Sequence, residues 1–485
     1  MQHKLRFTIS LLNAFNPNNQ INKSPNRQKK CYLCKHIIFL SSMKAKYFIF
    51  IFLYISFTIS LRSQNIDYST ISMENKIYHP DILSMKLEHK TMDFALPIIF
   101  LNASDKLTLT FDDESDKAKY LKYTYIHCTY DWKPTPNFQF IDYMTTFTEG
   151  EIYNRQTSLN TLQFYTTYSL DFPNNEVSIN KSGNYILYVY EDDNGEYIPV
   201  LTHRFTVAER LVEILPSVQQ PTDISVRNTK QEVTFQINTT NFRINNASKN
   251  LKVVIAQNGR TDNAYIATTP TVTLNNELRF NRPNEILFEG GSEFRVFNIR
   301  SLRYTMEHIS RHARTEKENY TYVELDRERV YLPYEDRFDI DGCYFIAADD
   351  GYSLQSADYT HVYFSLNCMP PNDVDLYVYG ELTNWSIQPK AKLEYHQYRK
   401  QWEAALYLKT GYYNYTYLAV PKGSTTATFM YTEGSFWQTE NRYTFLAYYQ
   451  GDGLSYDRVI GYAQYFSFNK GIPEGLKLMK KMNQK

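Results

Sequence analysis

A chain of 485 residues is too long for one ordinary hydrophobic core, so two to four domains are expected. Lys and Arg together number 52, as do Asp and Glu, which excludes a net field attracting nucleic acid or an anionic membrane surface. Aromatic residues make up 16% of the chain, with 43 Tyr against 4 Trp, a bias toward pleated, half-buried surfaces that reads as mostly β.

Residues 1–42 are rich in Asn and Lys without sustained periodicity and read as a non-structured N-terminal extension. Cys31 and Cys34 within it have the spacing of half a zinc site, but no second pair or His partner accompanies them, so no metal is expected. Met43-Lys44-Ala45-Lys46, the apolar run Tyr47 to Leu61, and Arg62-Ser63-Gln64 follow the order of a secretory signal peptide, assigned to 43–64. The run is shorter than the roughly twenty residues of a membrane-spanning helix, and no Cys follows it directly. Export without a lipid anchor is expected, with the mature chain starting between Ser60 and Asn65. After the run only Cys128, Cys343 and Cys368 remain, enough for one disulfide at most; buried thiols are expected, and the fold must stand on its core.

From about Leu87 to Arg210 strand follows strand. Pro97 to Leu101 and Leu107 to Phe111 precede Asp112-Asp113-Glu114, which reads as a solvated turn because no calcium-type Asp-x-Asp-x-Asp-Gly loop is present. Alternation resumes over Tyr120 to Tyr130. Asp192-Asp193-Asn194-Gly195 predicts a hairpin, Asn-Gly supplying the positive φ angles such turns need. Lys181-Ser182-Gly183-Asn184-Tyr185 has the same order as Lys409-Thr410-Gly411-Tyr412-Tyr413. In each, a Gly turn feeds a Tyr-bearing strand, as a tyrosine corner requires, with the hydroxyl reaching back to the preceding loop.

Ala208 to Pro221 is a boundary candidate, since Pro216 and Pro221 limit sheet pairing. Gln231 to Ile237, Leu251 to Asn258 and Glu293 to Arg300 predict strands of a second block. His308 and His312 could share one helix face, but Ile309 stands where a zinc protease needs Glu. Tyr331 to Asp358 reads as a polar, aromatic connector.

In the last block Leu376 to Tyr379 and Gln401 to Leu408 alternate with period two, and Tyr413, Tyr415 and Tyr417 share one face of a strand after Gly411. Asn441 to Tyr449 and Asp457 to Tyr462 read as the closing strands of this sandwich. The resulting prediction is an all-β chain of three tandem immunoglobulin-like sandwiches, at 65–210, 211–358 and 359–485.

Asp375 to Val420 has a short strand ending at Gly380, an Asn384-Trp385 turn, a Trp402 strand and Gly411-x-Tyr413-x-Tyr415. It resembles the early-set immunoglobulin-like modules best known from glycogen-binding domains. Phe111-Asp112-Asp113, His127 to Trp132, Lys181 to Tyr185, Gln257-Asn258, Glu293-Phe294-Arg295 and the last-block runs together resemble the type 9 secretion system plug family of Bacteroidetes. That resemblance implies a periplasmic, non-catalytic protein at the inner face of the outer membrane, sealing a translocon barrel when no cargo fills it. It implies no catalytic residues, cofactor or metal, and the outer-membrane barrel protein as partner. Exposed-loop candidates for partner binding are Asn384, Phe436 and Trp437.

The rival is an exported carbohydrate-binding protein in which Trp385 and Trp437 stack on sugar rings. It is weakened because Trp437 lies one residue later than in the usual Asp-Gly-x-Trp turn, and Thr416 stands where the glycogen-binding modules carry a sugar-contacting Lys. An enzyme is not expected: no nucleophile elbow, zinc-protease motif or phosphate-cradling loop is present, and 17 Gly in the whole chain leave few loops able to press backbone onto a cofactor.

Overall fold

The computed structural model describes residues 70–193, 196–349, 354–369, 372–451, 453–468, 470–471, 474 and 476–477. The extension 1–42 with Cys31 and Cys34, the signal peptide 43–64 and the hairpin residues Asn194 and Gly195 lie outside the described residues. Asp67–Lys485 forms one compact unit. Within it the chain is all-β and builds three sandwiches around three separate hydrophobic cores.

In the first sandwich, one sheet runs Lys76–Ile77, Glu196–Ala208, Gly183–Asp193, Leu121–Cys128, Gly150–Glu151, and Ile98–Phe100 adds in parallel to Glu196–Ala208. The facing sheet runs Ile82–His89, Leu107–Asp113, Thr166–Phe172, Asn154–Thr157. Period-two alternation explains the packing: Leu107, Leu109 and Phe111 are buried while Thr108 and Thr110 stay half-exposed. Glu196 pairs with Asp193, the register that the predicted hairpin requires.

The second sandwich departs from the linear order. One sheet, Glu213–Gln219, Lys230–Asn238, Glu277–Phe280, Val272–Leu274, comes from the predicted block. The facing sheet joins Tyr265–Ala267 and Leu251–Gln257 to Arg442–Tyr449 and Arg458–Phe466. Those last two strands therefore close the second sandwich, correcting their reading as the end of the third. Tyr443, Phe445 and Ala447 bury their side chains in the core of Val233, Phe235 and Ile237. Pro216, expected to mark a break, sits inside the edge strand Glu213–Gln219, where a missing N–H is tolerated.

The third sandwich sets Arg295–Asn298, Gly411–Pro421, Tyr344–Ile346 and Val374–Tyr379 against a mixed sheet. The mixed sheet has the order Ile309–Arg314, Asn319–Val323, Tyr359–Asn367, Gln401–Lys409, Glu394–His396. The strand Arg295–Asn298 thus belongs here and not to the second block. Gly411–Pro421 is central and pairs with three other strands. Both predicted tyrosine corners are present: Tyr185 Oη donates to the Lys181 carbonyl at 2.8 Å and Tyr413 Oη to that of Lys409 at 2.5 Å. Cys128, Cys343 and Cys368 are buried free thiols.

Candidate partner-contact surface

Asp112 and Asp113 do not form the solvated turn expected of them. Both are buried, because the third sandwich packs over their strand end and brings Lys409 and Tyr359 to Asp112, while Lys119 folds back onto Asp113. Asp112 accepts from Lys409 Nζ at 2.7 Å, Tyr359 Oη at 2.6 Å and Thr167 Oγ1 at 2.5 Å; Asp113 pairs with Lys119 at 2.9 Å. Lys409 Nζ also lies 4.0 Å from the Tyr165 ring centroid. Burial pulls the Lys409 ammonium below its ordinary pKa and the Asp112 carboxylate opposes that pull. The first sandwich is clamped in this way onto one end of the third sandwich's outward sheet face, covering Tyr359 and Lys409.

Beyond the clamp the same face continues into solvent as an aromatic ladder. Register sets Tyr320, His361 and Tyr407 in one row and Tyr322, Tyr363 and Ala405 in the next. Tyr322 and Tyr363 stack at 4.9 Å, Tyr320 and His361 at 5.6 Å, and His361 meets Tyr407 at 4.7 Å. The Arg311 guanidinium lies 3.7 Å from the Tyr322 ring centroid. Stacked rings present edges and hydroxyls, giving a polar surface of Tyr, His and Arg, residue types suited to protein contacts. Alternation alone places these residues on one face. Their exposure is not visible locally, because Tyr359 on the same face of the same strand is buried under the first sandwich.

A second feature adjoins the ladder along the chain. The segment after Asp326–Arg327 crosses the surface without regular structure as far as Tyr344. It exposes Tyr331 at 86%, Leu332 at 54% and Phe338 at 64%. Leu332 and Phe338 rim a cavity of about 630 Å³ whose wall includes Arg327, Arg329, Arg337 and Phe436. Its floor is a buried ion network: Arg295 pairs with Asp326 at 2.7 Å and Glu433 at 2.9 Å, and Tyr415 and Tyr417 donate to Asp326 at 2.6 and 2.8 Å. Burial would raise the Asp326 carboxyl, but Arg295, His308 and Tyr415 overcome that and hold it at about 2. His308 reaches Asp326 at 3.1 Å from the turn before the strand Ile309–Arg314, which holds His312, so the shared helix face considered for His308 and His312 does not exist.

The residues singled out from sequence lie apart. Phe436 lines the 630 Å³ cavity and packs on Tyr334 at 5.7 Å; a Cβ on Gly290 would sit 2.0 Å from its carbonyl oxygen. Trp437 is half-buried against Phe468, its backbone N–H bonded to the Asn228 carbonyl. Asn384 and Trp385, both with positive φ, border a different cleft. There Trp385 meets Phe294 and Tyr379 edge-on at 6.4 and 6.0 Å. The two tryptophans of the sugar-stacking reading are thus each packed on aromatic neighbours of their own. The ladder and the rim around Leu332 and Phe338 escaped the sequence reading.

Comparison with known proteins bears on this architecture. The model for the first domain of the type 9 secretion system plug protein matches residues 82–209, the span of the first sandwich. A crystal structure of a hypothetical protein from Parabacteroides merdae ATCC 43184 is 31% identical with a TM-score of 0.78, covering 82% of this chain and 100% of that one. No curated protein matches the chain. With its first sandwich matching the plug protein's own first domain, and the other two fastened to it, the chain belongs to the type 9 secretion system plug family.

Proposed function

We propose that this protein is a non-catalytic periplasmic plug that binds the outer-membrane translocon barrel of the type 9 secretion system and seals it when no cargo is present. The match of the first sandwich to the plug family carries the reading. Its physical logic is that a barrel wide enough for folded proteins leaks solutes unless a body wider than the pore covers it. Three sandwiches joined by the Asp112–Lys409 and Glu209–Arg458 ion pairs suit that requirement. Sealing must also be reversible, which favours polar aromatic contacts over a large apolar face. The half-exposed ladder of Tyr320, Tyr322, His361 and Tyr363 has that character, and the exposed Tyr331 with the rim of Leu332, Phe338 and Phe436 adds a small apolar anchor. Among the loop candidates, Phe436 shares this rim, whereas Asn384 and Trp437 would extend the contact from other faces.

Deleting the gene is expected to raise envelope permeability to large antibiotics while cargo export continues, with no such effect in cells lacking the barrel. Tagged protein is expected to co-purify with the barrel in mild detergent. A Tyr322→Asp/Tyr363→Asp variant is expected to fold normally and lose at least tenfold in co-purified barrel. Unchanged permeability on deletion, or an absent barrel, defeats the reading; full capture by the variant moves the contact away from the ladder.

A further inference from the structure

A cleft of about 710 Å³ opens where all three sandwiches meet. It falls in the size range of small-molecule sites, about 300–1,000 Å³. Leu96, Ile98, Ile266, Ile387 and Leu446 give it apolar walls, and Trp132 and Trp385 border it.

Its charge balance is unusual. Lys86 in the wall is paired with Glu88 and Glu381, and Asp262 is paired with Arg260. Asp131 near the mouth pairs with Lys133, and Glu74 stands exposed there. Two guanidinium groups, however, have no carboxylate within 4.0 Å among the described residues. Arg204 stacks over Trp132 at 4.6 Å and donates through Nε to the Met73 carbonyl at 2.7 Å; neither Nη is bonded among the described residues. Arg442, only 1% exposed, donates through Nη1 to the Phe94 carbonyl at 2.6 Å, and its Nε is buried with no partner. Its Nη2 lies 4.0 Å from Cys343 Sγ, a thiol whose pKa burial pushes up to about 12 and which therefore offers no counter-charge. The buried Thr444 hydroxyl in the same wall is also unpartnered.

Asp341 and Glu74 act on Arg442 and Arg204 only at longer range, and a buried guanidinium with an unsatisfied Nε in an apolar wall is costly and calls for an acceptor. A bound peptide would bring its own N–H groups and need acceptors in return, whereas the unpartnered groups here are donors. An anionic head on an apolar chain meets both halves of the demand. We propose that the three-way cleft binds a single-chain amphiphile with a carboxylate head, of the fatty-acid class, the head at Arg204 and Arg442 and the chain along the Ile266 and Leu446 walls. The cleft and the aromatic ladder share no residues, so this inference stands apart from the translocon reading.

The test is titration calorimetry on the full chain with dodecanoate below its micelle concentration, alongside methyl dodecanoate and dodecyl phosphate. One equivalent of dodecanoate is expected to bind, with the methyl ester at least tenfold weaker because it lacks the charge. Arg204→Gln, at a half-exposed position, is expected to weaken binding tenfold or more with an unchanged circular-dichroism spectrum. Ile266→Trp, filling the cleft from an exposed edge strand, is expected to abolish it. Absence of binding, an ester bound within twofold of the acid, or unchanged affinity in both variants overturns the proposal. Dodecyl phosphate binding tenfold tighter than dodecanoate overturns the carboxylate assignment.

Discussion

His127 is the clearest case of one residue carrying a measurable property of the whole. It is buried among Phe138, Tyr143, Tyr185 and Tyr456, bonded only to Thr135 Oγ1 at 2.8 Å and the Ser182 carbonyl at 3.3 Å, and burial lowers its pKa to about 4. Between pH 4 and the ordinary value of 6.5 the unfolded chain binds a proton that the folded chain refuses. Stability from this group is therefore complete above pH 6.5 and lost as pH falls toward 4, by roughly 3 kcal/mol. Burial raises the carboxyls of Glu114 and Glu440 to about 7, which acts in the opposite sense, so wild type must be compared with a variant. Urea unfolding at pH 7 and 4.5 is expected to show a smaller acid loss in His127→Gln; equal losses would place the titration elsewhere. Trp402 gives a second test. It lies at the sheet end, half-buried on Tyr395 at 5.2 Å, with its Nε1 buried and unpartnered. Trp402→Ala should cost about 2 kcal/mol, less than the 3–5 of a fully buried Trp, read from the urea midpoint.

The two tyrosine corners show which elements a sequence makes legible. A Gly at the first position of a strand, then a Tyr two positions on, encodes a local geometry, and both corners close as those runs predict. Gly411 is there for space: a Cβ would sit 2.4 Å from the Phe345 carbonyl oxygen, inside the ladder joining its strand to Tyr344–Ile346. Gly411→Ala is expected to lower stability by about 2–3 kcal/mol, in the range of core overpacking, and a variant melting within 1 °C of wild type would remove this explanation. What alternation cannot encode is the partner. Arg442–Tyr449 reads as a strand from its own residues, yet it pairs with Leu251–Gln257, far back in the chain, and nothing local distinguishes that neighbour from the third sandwich. The buried charges were hidden for the same reason. Asp112 looks like a turn acid until Lys409 arrives from far along the chain, and Arg295 looks like a surface residue until Asp326 and Glu433 close over it.

At the scale of the molecule, the proposed plugging role requires the chain to resist being pulled apart, and that depends on the joints between sandwiches. The first is fixed to the second by the bidentate Glu209–Arg458 pair, both contacts at 2.6 Å, and by Tyr448 Oη on Asn184 at 2.8 Å. It is fixed to the third by the Asp112–Lys409–Tyr359 cluster and by Tyr165 Oη on the Ala357 carbonyl at 2.7 Å. Of these, the Asp112 cluster is the most vulnerable, since removing one partner strands a buried ammonium. Asp112→Ala should cost about 3–5 kcal/mol, whereas the double variant Asp112→Leu/Lys409→Met removes both charges and should recover most of it. If the joint holds the first sandwich in place, the single variant should also unfold in two steps where the parent unfolds in one, followed by proteolysis and fluorescence together. In cells it should leave the barrel co-purifying through the third sandwich's ladder while envelope permeability rises, because a cover hinged at this joint no longer spans the pore. Equal stability of single variant and parent would show that the ion pair contributes nothing; a destabilised but one-step unfolding would make the three sandwiches a single cooperative body and move the seal's weak point elsewhere.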